Sequence, residues 1–418
     1  MKLSIAFLLS LIGIFSCTVG IGQKTVTLES CLQSYDMHSP YKMQSAAIED
    51  IAKTKMDLYN TSLRPQASVI GQATYQSDVT GIPINIPGIN PLSKDQYRAY
   101  LDVNQSITDL FNKDTQRQFI QVQKHVDILK NEVAIYSLKE QVIDLYFGIL
   151  QSQKQLDLMS ISRKQVESGM AKLKAALDNG LTNRIQLDLM KAEELKIDQN
   201  SDEINFRKAS LIEMLSAITN ENFTENDNYV MPELMQHTAS KRPELNLLEA
   251  QKNLISMSEK MLKMKSQPRV SLFAQTGVGR PALNMLSNSF DFYYIGGVRI
   301  MWNINSMFNQ SKDLKLNRLQ TTSIDVQNDM FLLSQKMKDI QIEGQKSGVE
   351  AMLAKDAQII AIKESAVENA KSKLSLGTID ALDYIQYVNQ AEMARQQALI
   401  RELQSLKYKY LKMYNLGI

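Results

Sequence analysis

The chain has 418 residues, of which 44% are hydrophobic and 22% charged, an ordinary balance that excludes a polytopic helical membrane protein. Gly 17 and Pro 9 together are about half the usual share, which excludes collagen-like, linker and low-complexity chains. Lys plus Arg is 47 against 45 for Asp plus Glu, so no positive surplus points to nucleic acid, and two cysteines support neither a disulfide framework nor a Cys-rich metal site.

Met1-Lys2 and the apolar run Leu3 to Phe15 have the dimensions of a signal peptide rather than a membrane span. Residues 1–22 are therefore expected to leave, with cleavage after Gly22. A rival reading takes Ile14-Phe15-Ser16-Cys17 as a lipobox with Cys17 lipidated. Either way Cys31 is left as a lone cysteine. No later stretch approaches ~18 apolar residues without a charge. The expectation is export to the periplasm, outer membrane or exterior of a double-membraned bacterium.

Beyond the leader the chain is written twice. The interval Pro40 to Pro65 equals Pro243 to Pro268, and Phe111 to Gly180 equals Phe308 to Gly377. The expected organisation is a first repeat over 23–220, a linker over 221–239 and a second repeat over 240–418. Within the first repeat, Ala67, Val69, Ala73 and Tyr75 alternate with polar residues, predicting a strand at about 66–76. Tyr97, Ala99, Leu101, Val103 and Ile107 predict its partner at about 97–107, across a turn-rich loop holding Gly81, Pro83, Pro87, Gly88 and Pro91. The second repeat has the same plan, with strands at about 269–278 and 290–304.

The remainder reads as helix. Asn112 to Asn179 contains no proline and at ~1.5 Å per residue would reach roughly 100 Å. Phe119, Val122, Val126, Leu129, Val133 and Tyr136 form a coiled-coil seam, as do Val166, Met170, Leu173 and Leu177. Asn179-Gly180 supplies a left-handed cap and Thr182 or Asn183 a helix start, so two antiparallel helices meet in a tight tip. Leu376-Gly377-Thr378 repeats the tip. Leu399, Leu403, Leu406, Tyr410 and Met413 carry a last seam.

Four strands of about ten residues, each apolar on one side, suit a transmembrane β-barrel. One chain cannot close it, because an open sheet in lipid leaves edge amides unsatisfied. Eight strands give a barrel filled by its own side chains, so three chains are the smallest assembly with a lumen.

The duplicated helix–hairpin–helix plan resembles the TolC-type outer membrane efflux protein family. The resemblance rests on Thr27-Leu28-Glu29-Ser30-Cys31-Leu32, Leu63-Arg64-Pro65, Gly180-Leu181-Thr182 and Gly377-Thr378-Ile379-Asp380-Ala381-Leu382-Asp383, in that order. It implies a mainly α fold with β: long coiled-coil helices forming a periplasmic α-barrel, and four strands per chain contributing to a 12-stranded trimeric transmembrane barrel. It further implies a homotrimer in outer membrane lipid that exports substrates from a periplasmic adaptor and an inner-membrane pump of ABC or RND type, without cofactors.

Family members carry acidic residues six and nine positions after the second tip glycine, ringing the closed periplasmic entrance. Here those positions hold Asp383 and Gln386, so one carboxylate matches and the other is an amide. Asp380, one turn earlier, is a candidate replacement. In the first tip, Gln186 takes the sixth position after Gly180 and Asp188 follows. Against the gate stands the simpler reading of Asp380 and Asp383 as charges complementing a helix dipole. The tips Gly180, Leu181, Thr182, Gly377 and Thr378 are candidates for docking an adaptor. Tyr97, Tyr293, Tyr294 and Trp302 are candidates for an interfacial aromatic girdle. No phosphate loop, zinc motif or nucleophile triad is present, so no enzyme is expected. The competing class is an exported structural or adhesive coiled-coil protein without a pore.

Overall fold

In the computed structural model residues 24–80, 92–233 and 242–417 are described. The expected leader, the lipobox and the loop from Gly81 to Pro91 lie outside them. In chain order come β1 (Thr25–Val26), α1 (Leu28–His38), α2 (Pro40–Ser62), β2 (Gln66–Tyr75), β3 (Asp95–Ser106), α3 (Ile107–Phe111) and α4 (Lys113–Asp178). Then follow α5 (Arg184–Thr219), β4 (Asn228–Tyr229), α6 (Pro243–Lys265), β5 (Arg269–Arg280), β6 (Asp291–Met301), α7 (Ile304–Ser375) and α8 (Ala381–Leu416).

The repeated prolines explain why the halves fold alike. Pro40 and Pro243 each begin a helix, where a fixed φ suits the first turn and no N–H is missed. Pro65 and Pro268 each fall between that helix and the following strand, where the ring prevents the helix from continuing. Strand ends differ from the expected 107 and 304. Ser106 accepts from the backbone N–H of Asp109 at 3.3 Å, starting α3. Asn303 accepts from the N–H of Ser306 at 3.4 Å, and α7 begins at once. A side-chain oxygen that offers itself to the next turn's amide stops the sheet ladder.

The chain forms two compact units, and each draws on both sequence repeats. Of the described residues, the first comprises 24–34, 145–233 and 363–396. Its core joins Val166 and Leu173 of α4, Met190 and Ile197 of α5, Val367 and Leu374 of α7, and Tyr384 and Val388 of α8. The coiled-coil seam from Val166 to Leu173 is thus met by three other helices, which is why its residues are buried. Arg163 stitches α4 to α5 through Asp198 at 2.7 Å, and Arg395 joins α8 to Glu364 of α7 at 3.0 Å. The first part of the expected linker is not free chain. β4 pairs in parallel with β1, and the Tyr146 hydroxyl donates towards the carbonyls of Val26 and Val230 at 2.9 and 2.7 Å. Glu221 accepts from Lys24 and Ser34.

Of the described residues, the second unit comprises 35–80, 92–144, 242–362 and 397–417. It holds an antiparallel sheet in the order β2-β3-β5-β6. The two hairpins join through β3 and β5, with Tyr97 opposite Arg280 and Ser106 opposite Ser271. In the same unit Val126 and Leu129 of α4 pack on Ala250 of α6. Arg242, just before α6, lies 4.8, 5.1 and 5.5 Å from the rings of Tyr136, Tyr414 and Phe331. It pairs with Glu244 and donates to the carbonyl of Tyr414 at 3.2 Å, near the end of α8. Tyr136 and Tyr414 exchange hydroxyl-to-carbonyl bonds at 2.6 and 3.0 Å. A buried guanidinium is tolerable only with such partners. No helix among the described residues is long and apolar enough to cross a membrane.

Candidate functional site

Strand register sorts the sheet into two faces, because partners across the ladder point the same way. One face carries Ala67, Val69 and Tyr75 of β2; Tyr97, Ala99, Leu101 and Val103 of β3; Val270, Leu272, Ala274 and Val278 of β5; and Phe292, Tyr294, Val298 and Ile300 of β6. In a soluble protein such a face would be covered. Here Val69 is 84% and Ile300 70% exposed in the chain. Phe292 to Ile300 corresponds to about 27 Å of strand, close to the ~25 Å apolar band of a membrane barrel. The opposite face carries Gln66, Ser68, Gln72, Arg98, Asp102, Asn104, Ser271, Gln275 and Arg299. Gln275 donates to Asp102 at 2.7 Å across it. β2 and β6 are the two edges, each with one neighbour in the sheet.

The same register corrects one girdle candidate. Tyr97 and Tyr294 lie on the apolar face, whereas Tyr293 must point the other way, since successive strand residues alternate. Tyr293 is buried there against Tyr100, with ring centroids 6.5 Å apart. Trp302 follows the end of β6 and donates its indole N–H to the carbonyl of Ser266 at 3.0 Å. Tyr97 lies near the opposite strand end, stacked on Phe290 at 6.4 Å with Arg280 over both rings. Phe290 extends the even-numbered series of Phe292 and Tyr294, whereas Arg280, at the end of the neighbouring strand, was not expected there.

Both tips belong to the first unit and close identically. Gly180 has φ 70° and Gly377 φ 69°, the left-handed region that glycine adopts without strain. Leu181 N–H reaches the Ala176 carbonyl and Gly180 N–H that of Leu177, at 2.8 and 2.9 Å. Thr378 to Lys373 and Gly377 to Leu374 repeat these bonds at 3.0 and 3.1 Å. This 6→1 and 5→2 pattern satisfies the last carbonyls of α4 and α7. Leu181 and Leu376 are left 76% and 77% exposed, with no packing partner that the tip itself requires.

Three residues past each glycine a side chain caps the next helix. Asn183, rather than Thr182, accepts from Gln186 N–H at 3.3 Å. Asp380 accepts from Asp383 N–H at 2.8 Å. Asp380 is therefore the counterpart of Asn183, and its carboxylate is committed to the start of α8, a role of about 1 kcal/mol. Gln186 is committed too, since its Oε1 accepts from Ala381 N–H at 2.6 Å and ties one tip to the other. That bond gives Gln186 a structural role between the tips. Asp383 and Gln386 remain exposed on α8. Asp188 is exposed and lies 4.0 Å from Arg184, a weak surface pair. A cleft of about 620 Å³ between the tips is lined by Leu181, Gln186, Leu376, Asp380 and Asp383 among others.

Two residues that the sequence did not single out fix α8 against its neighbours. Tyr384 is fully buried and donates to the Gln165 carbonyl at 2.9 Å, and burial pushes its hydroxyl up to about 12, so it stays a donor at any physiological pH. Gly169 lies beneath that ring, where even a methyl group would overlap it. Among the described residues no cluster of three or more His, Cys, Asp or Glu side chains suits a metal ion.

No family model and no curated protein matches the chain by sequence. Solved structures do. The chain is similar to the outer-membrane channel OprN, with a TM-score of 0.70 and 13% identity over 93% of this chain and 89% of that one. It is similar to the CmeC outer membrane channel of Campylobacter jejuni, with a TM-score of 0.66 and 14% identity over 94% and 84%. The outer membrane protein VceC of Vibrio cholerae aligns at a TM-score of 0.66 and 12% identity over 93% and 96%. The fold is therefore that of these outer-membrane channels over nearly the whole chain, as the TolC-type resemblance implied.

Proposed function

We propose that the protein is an outer-membrane channel-tunnel that exports substrates handed on by a periplasmic adaptor and an inner-membrane pump, and that it acts as a homotrimer. The carrying observation is the four-stranded sheet with one mainly apolar face, one mainly polar face and two unpaired edges. In lipid each unpaired edge amide or carbonyl costs several kcal/mol, so a sheet of this kind requires edge partners. Three copies pairing β6 of one with β2 of the next make 12 strands, enough for a lumen. The fold shared with OprN, CmeC and VceC supports the same reading. The work is transport, with no catalytic step.

In the first unit, exposed Leu181 and Leu376 on rigid tips are suited to a helical adaptor partner, and Asp383 is the gate carboxylate. Three copies of Asp383 around a narrow entrance would hold cations and repel one another. The pump is of ABC or RND type. Electron microscopy of detergent-extracted protein from membrane fractions tests the proposal directly. The expected particle has threefold symmetry, a detergent belt at one end and a hollow helical extension. A soluble rod without a belt would refute it in favour of a coiled-coil structural protein.

A further inference from the structure

The polar face of the sheet carries charges at defined heights. Reading rungs across the register, Arg98 shares its rung with Asp291, and Asp102 shares its rung with Gln275. Two rungs beyond Asp102, towards the helices, Ser106, Ser271 and Arg299 form a rung with one positive charge and no negative one. Four residues of strand separate the Asp102 and Arg299 rungs, about 13 Å, which exceeds the ~8 Å screening length at physiological salt. Arg299 has no ion-pair partner among the described residues. Arg269, one rung further, instead lines a cleft with Lys265, Asp109 and Asp313, where the charges balance.

Arg299 is also held in place. Its guanidinium carbon lies 4.7 Å from the centroid of the Phe273 ring. That ring lies over Gly297, whose missing side chain leaves the room: a Cβ there would approach Phe273 Cε1 to 3.1 Å. Glycine, ring and guanidinium make a stack on the sheet wall. A guanidinium held over a ring by its central carbon has N–H groups left for a second partner, and their paired geometry matches the oxygens of a carboxylate or phosphate.

We propose that Arg299, laid on Phe273, is an anion-selecting residue of the barrel lumen and binds carboxylate- or phosphate-bearing solutes in passage. The inference rests on the channel reading, which places the polar face inward and brings three copies of Arg299 to one height. A ring of three uncompensated cations raises the local concentration of anions and repels cations.

The test uses purified full-length protein in planar bilayers under a potassium chloride gradient, with pyrophosphate as the probe. If neither the wild-type protein nor the gate variant Asp383→Asn conducts current, the channel reading fails before this inference is reached. Given conductance, Arg299→Gln is expected to shift the reversal potential towards the potassium value and to weaken pyrophosphate block about tenfold, as for loss of a charged hydrogen-bond partner. Arg299→Lys keeps the charge and the reversal potential but loses the planar fork, so block weakens severalfold. Phe273→Leu frees the guanidinium and also weakens block without changing the ion preference. Unchanged reversal potential and block in Arg299→Gln overturn the proposal. Should that variant fail to assemble as a threefold particle, wild-type block in both Arg299→Lys and Phe273→Leu overturns it.

Discussion

Replacing Gly169 with alanine tests the packing that positions α8. A Cβ at 169 would lie 2.4 Å from Met190 Cε and 2.7 Å from Tyr384 Cε1. The methionine end can swing away. Tyr384 cannot, because it is fully buried and its hydroxyl is bonded to the Gln165 carbonyl at 2.9 Å. The ring must retreat by about 0.7 Å to reach ordinary contact at 3.4 Å. Overpacking of this kind costs about 1–3 kcal/mol, and stretching the hydroxyl bond adds about 1 kcal/mol. Removing a helix-interior glycine returns about 1 kcal/mol, so Gly169→Ala should destabilise the first unit by about 1–3 kcal/mol. Two other glycines calibrate the result. At Gly148 the Cβ meets the end of the Leu211 side chain, with Cδ1 nearest at 3.1 Å, and at Gly344 it meets nothing within 4 Å. Gly148→Ala should be near neutral and Gly344→Ala stabilising by about 1 kcal/mol. Hydrogen exchange of α4 and α8 amides, with thermal unfolding in detergent, reads the order. A Gly169→Ala protein as stable as Gly344→Ala would show that the Tyr384 contact is not tight and would refute the argument.

Gly377→Val forces a β-branched residue to φ 69° at the tip, at a cost of about 1–2 kcal/mol, and should spare trimer formation while abolishing export; export at the wild-type level, measured by substrate accumulation in cells, would exclude the tip as a tight docking surface. Asp383→Asn should raise the conductance of the isolated channel or relieve its block by divalent cations, whereas Asp380→Asn, which keeps the cap as Asn183 does, should leave both unchanged. Equal effects of the two changes would contradict the separation of cap from gate. Burial pushes the Glu392 carboxyl above its ordinary value, with Glu193 adding to the rise and Arg395 and Lys196 opposing it. The folded state then holds a proton that the unfolded state has lost, so this group's contribution to stability falls as pH rises from the ordinary glutamate value through the raised one. Glu392→Gln should raise the thermal midpoint at neutral pH and flatten that part of the pH profile; a lowered midpoint at neutral pH would sink the assignment.

Much of the architecture is carried by local chemistry that needs no tertiary context. Prolines at 40, 65, 243 and 268 mark where helices start and strands follow, and the period changes from 3.6 to 2 between them. Glycines at 180 and 377 set the tips because only a residue without Cβ takes that backbone freely. Even the fault in the girdle assignment was legible, since Tyr293 and Tyr294 are adjacent in a strand and cannot share a face. The capping role of Asp380 could have been read from its match to Asn183, each three residues past a tip glycine.

Other features depend on residues far apart in the chain and have no local signal. The pairing of β3 with β5 joins one repeat to the other, and its register alone sets Arg299 on a rung without a carboxylate. Gln186 reaches Ala381, Tyr384 reaches Gln165, and Arg242 gathers Tyr136, Phe331 and Tyr414. Sequence periodicity states which face of an element is buried but not which neighbour it meets. That choice is made by long-range packing, where a glycine's missing methyl or a single hydroxyl decides how closely two helices can approach.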